Sequence, residues 1–194
     1  MRILGITGGI GAGKTTVTQM FVRLGADAVD ADQISHEIML PNGSAYFPVV
    51  HAFGKNILNA DGTIHRKKLA DIVFQNEKQL QLLNQITHGC IFEEMQRRID
   101  RSKASLLCLD VPLLFSSDFP IRCDKTLAVI APENCRIQRV MQRDSCTRKQ
   151  AEQRICRQLS DTEFTALADF CIVNDGSAEK IWEQVKNVYQ IMME

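Results

Sequence analysis

A glycine-rich run near the N-terminus places the strongest constraint on what this chain can fold into. Its residues, Gly8-Gly9-Ile10-Gly11-Ala12-Gly13-Lys14-Thr15-Thr16, fit the spacing Gly-x-x-x-x-Gly-Lys-Ser/Thr. The apolar residues 3–7 precede it as a buried strand would, and apolar residues follow it at helical spacing, at Val17, Met20, Phe21 and Leu24. The order strand, glycine loop, helix predicts a phosphate-binding loop (P-loop).

Each part of this loop serves the binding of a nucleoside triphosphate. Glycines let backbone N–H groups surround phosphate oxygens, and the helix N-terminus adds partial positive charge. Lys14 can reach the terminal phosphates, and the Thr15 hydroxyl can hold Mg²⁺. A plain glycine-rich turn is the alternative, but it explains one or two glycines rather than four followed by Lys-Thr.

Five apolar segments predict a parallel sheet. They cover residues 3–7, 27–30, 105–111, 126–130 and 170–173, and several are apolar on both faces, as a sheet covered by helices requires. Helical patterns lie between them. The sequence therefore predicts an α/β fold, a doubly wound five-stranded parallel sheet of the P-loop kinase type.

Two insertions interrupt the predicted nucleotide-binding core, which comprises residues 1–32, 102–131 and 162–194 of a single domain. Residues 33–101 contain no convincing strand and predict helices at 33–40, 45–55, 67–74 and 78–101. This helical insertion is either an acceptor-binding subdomain or a crossover that covers the sheet, and both interpretations can hold together.

The second insertion, residues 132–161, is rich in arginine. Between Arg136 and Arg157 there are seven basic and two acidic residues, six of the basic ones being arginine. Arg136, Arg139 and Arg143 share one face of a predicted helix. Because guanidinium groups pair with oxyanions in bidentate fashion, we interpret this segment as a lid over the phosphates. A solvated charged face is the alternative.

Composition excludes several classes of protein. Lys plus Arg equals Asp plus Glu at 23 each, so no general basic field for nucleic acid is present. The seven cysteines form no Cys-x-x-Cys pair, which favours reduced thiols in a cytoplasmic protein over a zinc site. No apolar stretch approaches the ~20 residues of a membrane span. The guanine-reading motif Asn-Lys-x-Asp does not occur, which disfavours a switch GTPase.

The second predicted strand ends in Asp30-Ala31-Asp32. Ligands of open parallel sheets bind beyond the carboxyl ends of the strands, so both carboxylates are expected near the phosphate loop. One can orient and accept the proton of an attacking hydroxyl, for which we favour Asp32. Capping of the next helix is the alternative role.

A collinear set of motifs resembles the dephospho-CoA kinase family and spans nearly the whole chain. The set comprises Thr7 to Thr16, Val29-Asp30-Ala31-Asp32, Asp61-Gly62-x-x-x-Arg66, Val111-Pro112-Leu113-Leu114-Phe115, Arg139-x-x-x-Arg143-Asp144, Arg154-Ile155-x-x-Gln158 and Ala168-Asp169-x-x-Ile172-x-Asn174-x-Gly176. Each motif alone is weak, and their shared order is specific.

The resemblance implies transfer of the γ-phosphoryl group of ATP to the ribose 3′-hydroxyl of dephospho-CoA, with Mg²⁺, as the last step of coenzyme A biosynthesis. It implies that Lys14, Asp32 and Arg139 are catalytic. It further implies that ATP contacts Gly11, Ala12, Gly13, Lys14, Thr15, Thr16, Arg143 and Asn174. The acceptor would lie on residues 33–101, with Asp32, Arg66 and His88 as contacts.

The chain departs from the family pattern on the acceptor side, at His65, Gly89 and Ser116. Two alternatives stay open: a kinase of the same fold with a nucleoside, sugar or shikimate-like acceptor, and a regulatory protein that senses ATP without turnover. The partners we expect are ATP and dephospho-CoA, without nucleic acid or membrane, in a cytoplasmic monomer or small homo-oligomer.

Overall fold

The computed structural model describes residues 1–115 and 119–194. Ser116, one of the departures from the family pattern, lies outside these residues. The described residues divide into two compact units. The first comprises Met1–Asp30 and Ser102–Glu194, and the second is Ala31–Arg101.

A parallel sheet of five strands organises the first unit. The strands are β1 (Arg2–Thr7), β2 (Asp27–Asp30), β3 (Leu106–Asp110), β4 (Lys125–Ile130) and β5 (Phe170–Val173). They lie in the order β2-β3-β1-β4-β5, and all four pairings are parallel. This confirms the predicted fold class and all five predicted strands, each to within one residue at either end.

Helices of the first unit complete its α/β architecture. They are α1 (Lys14–Arg23), α6 (Glu133–Asp144), α7 (Arg148–Ile155), α8 (Asp161–Leu167) and α9 (Ala178–Met193). Helices α1 and α9 pack together and share one apolar core with β1, β3, β4 and β5, in which Phe21 and Leu4 are fully buried. Burial of these apolar side chains stabilises the sheet that carries the loop after β1.

The helices α6 and α7 form a pair of their own. Ile137 and Val140 of α6 pack against Ala151 and Ile155 of α7. The first helix ends at Ser145, whose φ of 49° is left-handed, and the second begins with a capping box between Thr147 and Gln150. The predicted break between two arginine-rich helices is confirmed.

The second unit is helical. It contains α2 (Ala31–Glu37), α3 (Tyr46–Phe53), a 3₁₀ turn (Lys55–Ile57), α4 (Arg66–Val73) and α5 (Glu77–Arg101). The pair Glu37–Arg98 joins α2 to α5, and the Tyr46 hydroxyl donates to the Gly62 carbonyl. Helix α2 ends three residues before the predicted end. Leu40 precedes Pro41, a position that disfavours helix, and its carbonyl accepts from the Gly43 N–H in a turn.

Candidate active site

The phosphate loop joins the central strand β1 to helix α1. Lys14 is the first residue of α1, and Gly13 caps the helix with a left-handed φ of 94°. A side chain on Gly8 would overlap the Val129 carbonyl of the neighbouring strand β4. These two glycines are therefore required by backbone conformation and by space, and they set the loop tightly on the carboxyl edge of the sheet.

Three successive carbonyl groups of the loop are held by side chains from distant parts of the chain. The Ile10 carbonyl accepts from Arg136 Nε at 3.1 Å, and the Gly11 carbonyl accepts from Arg139 Nη1 at 3.1 Å. The Ala12 carbonyl accepts from Asn174 Nδ2 at 2.8 Å. In a trans peptide the following N–H points the opposite way, so the Gly11 and Gly13 amides are directed away from these side chains.

This arrangement makes the loop electrostatically suited to an anion. In the first turn of α1 the Thr16 N–H donates to the Gly13 carbonyl at 3.1 Å. The N–H groups before it precede the first acceptor that the helix offers, and they lie where the positive end of the helix dipole is strongest. Lys14 adds its ammonium group, which donates to the Gly8 carbonyl at 3.1 Å. Because an ammonium has three donors, this bond leaves Lys14 able to bind a phosphate.

Arg139 and Asn174 also bind each other. Arg139 Nη2 donates to Asn174 Oδ1 at 2.9 Å, and Asn174 is buried directly after β5. The structure thus brings two sequence-predicted site residues together on the phosphate loop. Their predicted roles at the phosphates and at the adenine ring stay predictions.

The other lid arginines lie outside this group. Arg143 and Arg154 both pair with Asp144, and Arg148 pairs with Glu152. Arg143 lowers the pKa of the Asp144 carboxyl by hydrogen bonding. Their side chains are about half exposed or more, so the binding of ATP by Arg143 stays a prediction.

Thr15 provides an exposed hydroxyl at the start of α1, directly after Lys14. Deeper in the same helix, the Thr18 hydroxyl donates to Asp110 at 3.3 Å, which ties α1 to the end of β3. Among residues 1–115 and 119–194 no three His, Cys, Asp or Glu side chains group as a metal site. Mg²⁺ in kinases needs few protein ligands, because phosphates and waters complete its shell, so Thr15 fits the ion.

Sequence reasoning missed two contacts to Ile10. Gln158 Oε1 accepts from the Ile10 N–H at 2.7 Å, and Arg136 holds its carbonyl while pairing with Asp161 at 2.9 Å. The spacing of Arg136 and Arg139 signals a shared helical face. Nothing in the sequence signals Asp161 as a partner.

A cavity of about 400 Å³ lies beside Gln158 in the same unit. Apolar side chains, Leu113, Phe115, Leu159 and Phe164, form much of its wall, and Arg157 and Glu163 add charge. Its size falls within the ~300–1,000 Å³ of small-molecule sites.

The predicted acceptor residues lie in the second unit. Asp32 is in the first turn of α2, Arg66 begins α4, and His88 is in α5. All three are exposed, and the His88 ring lies 5.8 Å from that of Phe92 between centroids. Their exposure is compatible with acceptor binding, which stays a prediction. Within the described ranges, no helix is long and apolar enough to cross a membrane.

Comparison with known proteins identifies the family. The profile described as "CoaE: Dephospho-CoA kinase" matches residues 2–180. A dephospho-CoA kinase of Carboxydothermus hydrogenoformans is 40% identical over 193 residues, which cover 98% of this chain and 94% of the relative.

Solved structures agree with this assignment. The protein TT1252 of Thermus thermophilus superposes with a TM-score of 0.87 at 26% identity, covering 100% of this chain and 98% of that one. Dephospho-CoA kinase of Campylobacter jejuni superposes with a TM-score of 0.64 at 28% identity, covering 98% and 97%. With its phosphate loop, its parallel sheet and these matches, the chain belongs to the dephospho-CoA kinase family.

Proposed function

We propose that this chain transfers the γ-phosphoryl group of ATP to the ribose 3′-hydroxyl of dephospho-CoA, giving CoA and ADP. The observation that carries the proposal is the ordered phosphate loop, with three successive carbonyls held by Arg136, Arg139 and Asn174. Family membership then supplies the acceptor.

On the ATP side, residues Gly11 to Thr16 surround the phosphates through amides other than those of Ala12 and Thr16, which donate to the Gly9 and Gly13 carbonyls. Lys14 neutralises charge on the terminal phosphates. Phosphoryl transfer passes through a loose transition state, so catalysis consists chiefly of positioning and electrostatic stabilisation. Arg139 contributes a fixed positive charge, because its other donors already hold Gly11 and Asn174. Thr15 would hold Mg²⁺, which would neutralise negative charge on the phosphates.

On the acceptor side, Asp32 orients the attacking hydroxyl and accepts its proton. Support comes from chain order, since Asp32 follows the end of β2 by two residues. Arg66 and His88 contact the acceptor within residues 33–101.

We also propose a cellular compartment and an oligomeric state for this chain. The seven cysteines are free thiols, which suits the reducing cytoplasm where ATP is made and used. We propose action as a monomer or small homo-oligomer.

The test is ADP release by purified protein with ATP, Mg²⁺ and one acceptor at a time. Dephospho-CoA should give turnover, and mass spectrometry should identify CoA as its product. Adenosine, gluconate and shikimate should stay at the background of ATP hydrolysis. Turnover with shikimate instead would assign a different kinase, and ATP binding without any turnover would assign a sensor.

A further inference from the structure

We propose that Arg136 is a positioning residue for phosphoryl transfer, acting through the Ile10–Gly11 peptide of the phosphate loop. Asp161, at the start of α8, holds the guanidinium in place. This inference rests on the proposed function only in that the loop must bind ATP, and it does not depend on the acceptor.

The guanidinium connects the loop to two helices. Arg136 belongs to α6 and is 3% exposed. Its Nε donates to the Ile10 carbonyl at 3.1 Å, and its Nη1 donates to Asp161 Oδ1 at 2.9 Å. Since a guanidinium is planar and its donors are fixed relative to one another, holding Nη1 also fixes the direction of Nε.

Arg136 also explains why Gly9 has no side chain. A Cβ atom on Gly9 would overlap Nη2 of Arg136, while Gly9 is absent from the glycines with positive φ in the described ranges. An alanine at Gly9 would therefore have to displace the Arg136 guanidinium, while the backbone conformation itself would accept it. Nη2 itself is buried and has no hydrogen-bond partner among the residues that the structure describes. A buried donor left unpaired calls for a functional explanation.

Residues 136–158 contact the side chain, the N–H and the carbonyl of Ile10. Its side chain packs on the apolar contact between α6 and α7, and its N–H donates to Gln158 at 2.7 Å. Arg136 Nε donates to its carbonyl. If that carbonyl were released, the peptide could rotate and turn the Gly11 N–H away from the phosphates. Arg136 thus keeps one phosphate donor in its productive direction.

Replacement of Arg136 tests this role. Arg136→Met should lower the affinity for ATP and kcat by about tenfold each, the loss of one well-placed hydrogen-bond donor to a phosphate. Arg136→Lys keeps the positive charge but not the fixed set of guanidinium donors. Its losses of ATP affinity and kcat should therefore be intermediate. Lys186→Met, which removes a surface ion pair on α9, is the matched control and should behave as wild type. ATP affinity is measured by calorimetry with a non-hydrolysable analogue and without acceptor, so it is independent of the identity of the acceptor.

A double substitution separates positioning from simple stabilisation. Gly9→Ala alone should lower kcat/KM for ATP at least about tenfold, whereas in the Arg136→Met background its additional effect should be under about twofold. If Arg136→Met does not fold, Asp161→Asn tests the same link and should weaken ATP binding several-fold in the same calorimetric titration, which contains no acceptor. The proposal would be overturned if Arg136→Met lowered thermal stability but kept wild-type ATP affinity and kcat. It would also be overturned if the two substitutions lowered kcat/KM independently in the double variant.

Discussion

The side-chain amide of Asn174 donates to the carbonyl oxygen of Ala12 at 2.8 Å, joining the end of β5 to the phosphate loop. The same Nδ2 atom faces Gly13, where a Cβ atom would overlap it. One buried asparagine therefore both supports the loop and limits which residue can cap α1.

The first prediction concerns Gly13. Gly13→Ala should lower the affinity for ATP by about tenfold or more, because a left-handed alanine costs about 1–2 kcal/mol and its methyl displaces Asn174. Calorimetric titration with an ATP analogue measures the effect. Gly176→Ala is the control, since it has a φ of 101° and no atom within 4 Å of the added Cβ. It should reduce thermal stability and leave ATP affinity intact, so equal losses of affinity in the two variants would remove Asn174 from the explanation.

The second prediction concerns Lys14. Lys14→Ala should weaken ATP binding and lower kcat together, because the ammonium meets phosphate charge in both ground and transition states. Binding is measured by titration and kcat by coupled ADP release. Normal ATP affinity in this variant would contradict the placement of Lys14 across the loop.

The third prediction concerns Asp32. Asp32→Ala should lower kcat by about 10²-fold or more and leave ATP affinity unchanged, because a general base acts on the acceptor hydroxyl alone. Steady-state kinetics with dephospho-CoA, together with ATP titration, separate these two quantities. Asp32→Asn is the isosteric comparison and should be similarly slow. An unchanged kcat would exclude Asp32 from the reaction.

The fourth prediction concerns the buried thiol of Cys108 and the half-buried thiol of Cys123. Burial raises the pKa of Cys108 to about 12 and that of Cys123 to about 11. Since the thiolate is the nucleophile, iodoacetamide at neutral pH should modify the exposed Cys156 well before either of them. Mass spectrometry of partly labelled protein gives the order. Labelling of Cys108 as fast as Cys156 would mean that β3 opens readily.

These two thiols also give stability a pH dependence with a definite sign. An unfolded thiol ionises near its ordinary pKa, whereas the buried ones stay protonated to higher pH, so the folded state binds more protons in this range. The free energy of unfolding should therefore fall as pH rises above about 9. Denaturant titrations of wild type and Cys108→Ala at rising pH measure this slope, which should be shallower in the variant.

The fifth prediction concerns Asp169, which joins β4 to β5. Its carboxylate accepts from Lys125 Nζ at 2.9 Å and from the Thr126 backbone N–H at 2.8 Å, and the Lys125 hydrogen bond is the main cause of its lowered pKa. Asp169→Asn should cost about 1 kcal/mol of unfolding free energy at neutral pH, because the pair is partly exposed and screened.

The pH dependence of this contribution has the opposite sign to that of the thiols. A carboxyl with a lowered folded pKa stabilises the fold above its unfolded pKa and loses that effect as pH falls through the folded pKa. The difference between wild type and Asp169→Asn should therefore shrink below about pH 4. A difference that stays constant to lower pH would assign the effect to shape rather than charge.

Features set by residues close together in the sequence were predictable, whereas contacts between distant residues were not. The strands were predictable because both faces of a covered parallel sheet are apolar, and the loop because its motif is local. Arg136 and Arg143 look alike in sequence, yet one is buried against Ile10 and the other pairs with its neighbour Asp144. Only tertiary packing separates them, since α6 presents just its first turns to the loop.

The hydrogen bonds from Arg139 and Asn174 to the Ala12 carbonyl have a consequence for synthesis of the chain. These contacts span 127 and 162 positions of sequence. On the ribosome, the glycine loop leaves the exit tunnel long before either side chain is translated. In a nascent chain the Ala12 carbonyl therefore gains its Asn174 partner only after residue 174 has emerged, and until then the loop lacks this support.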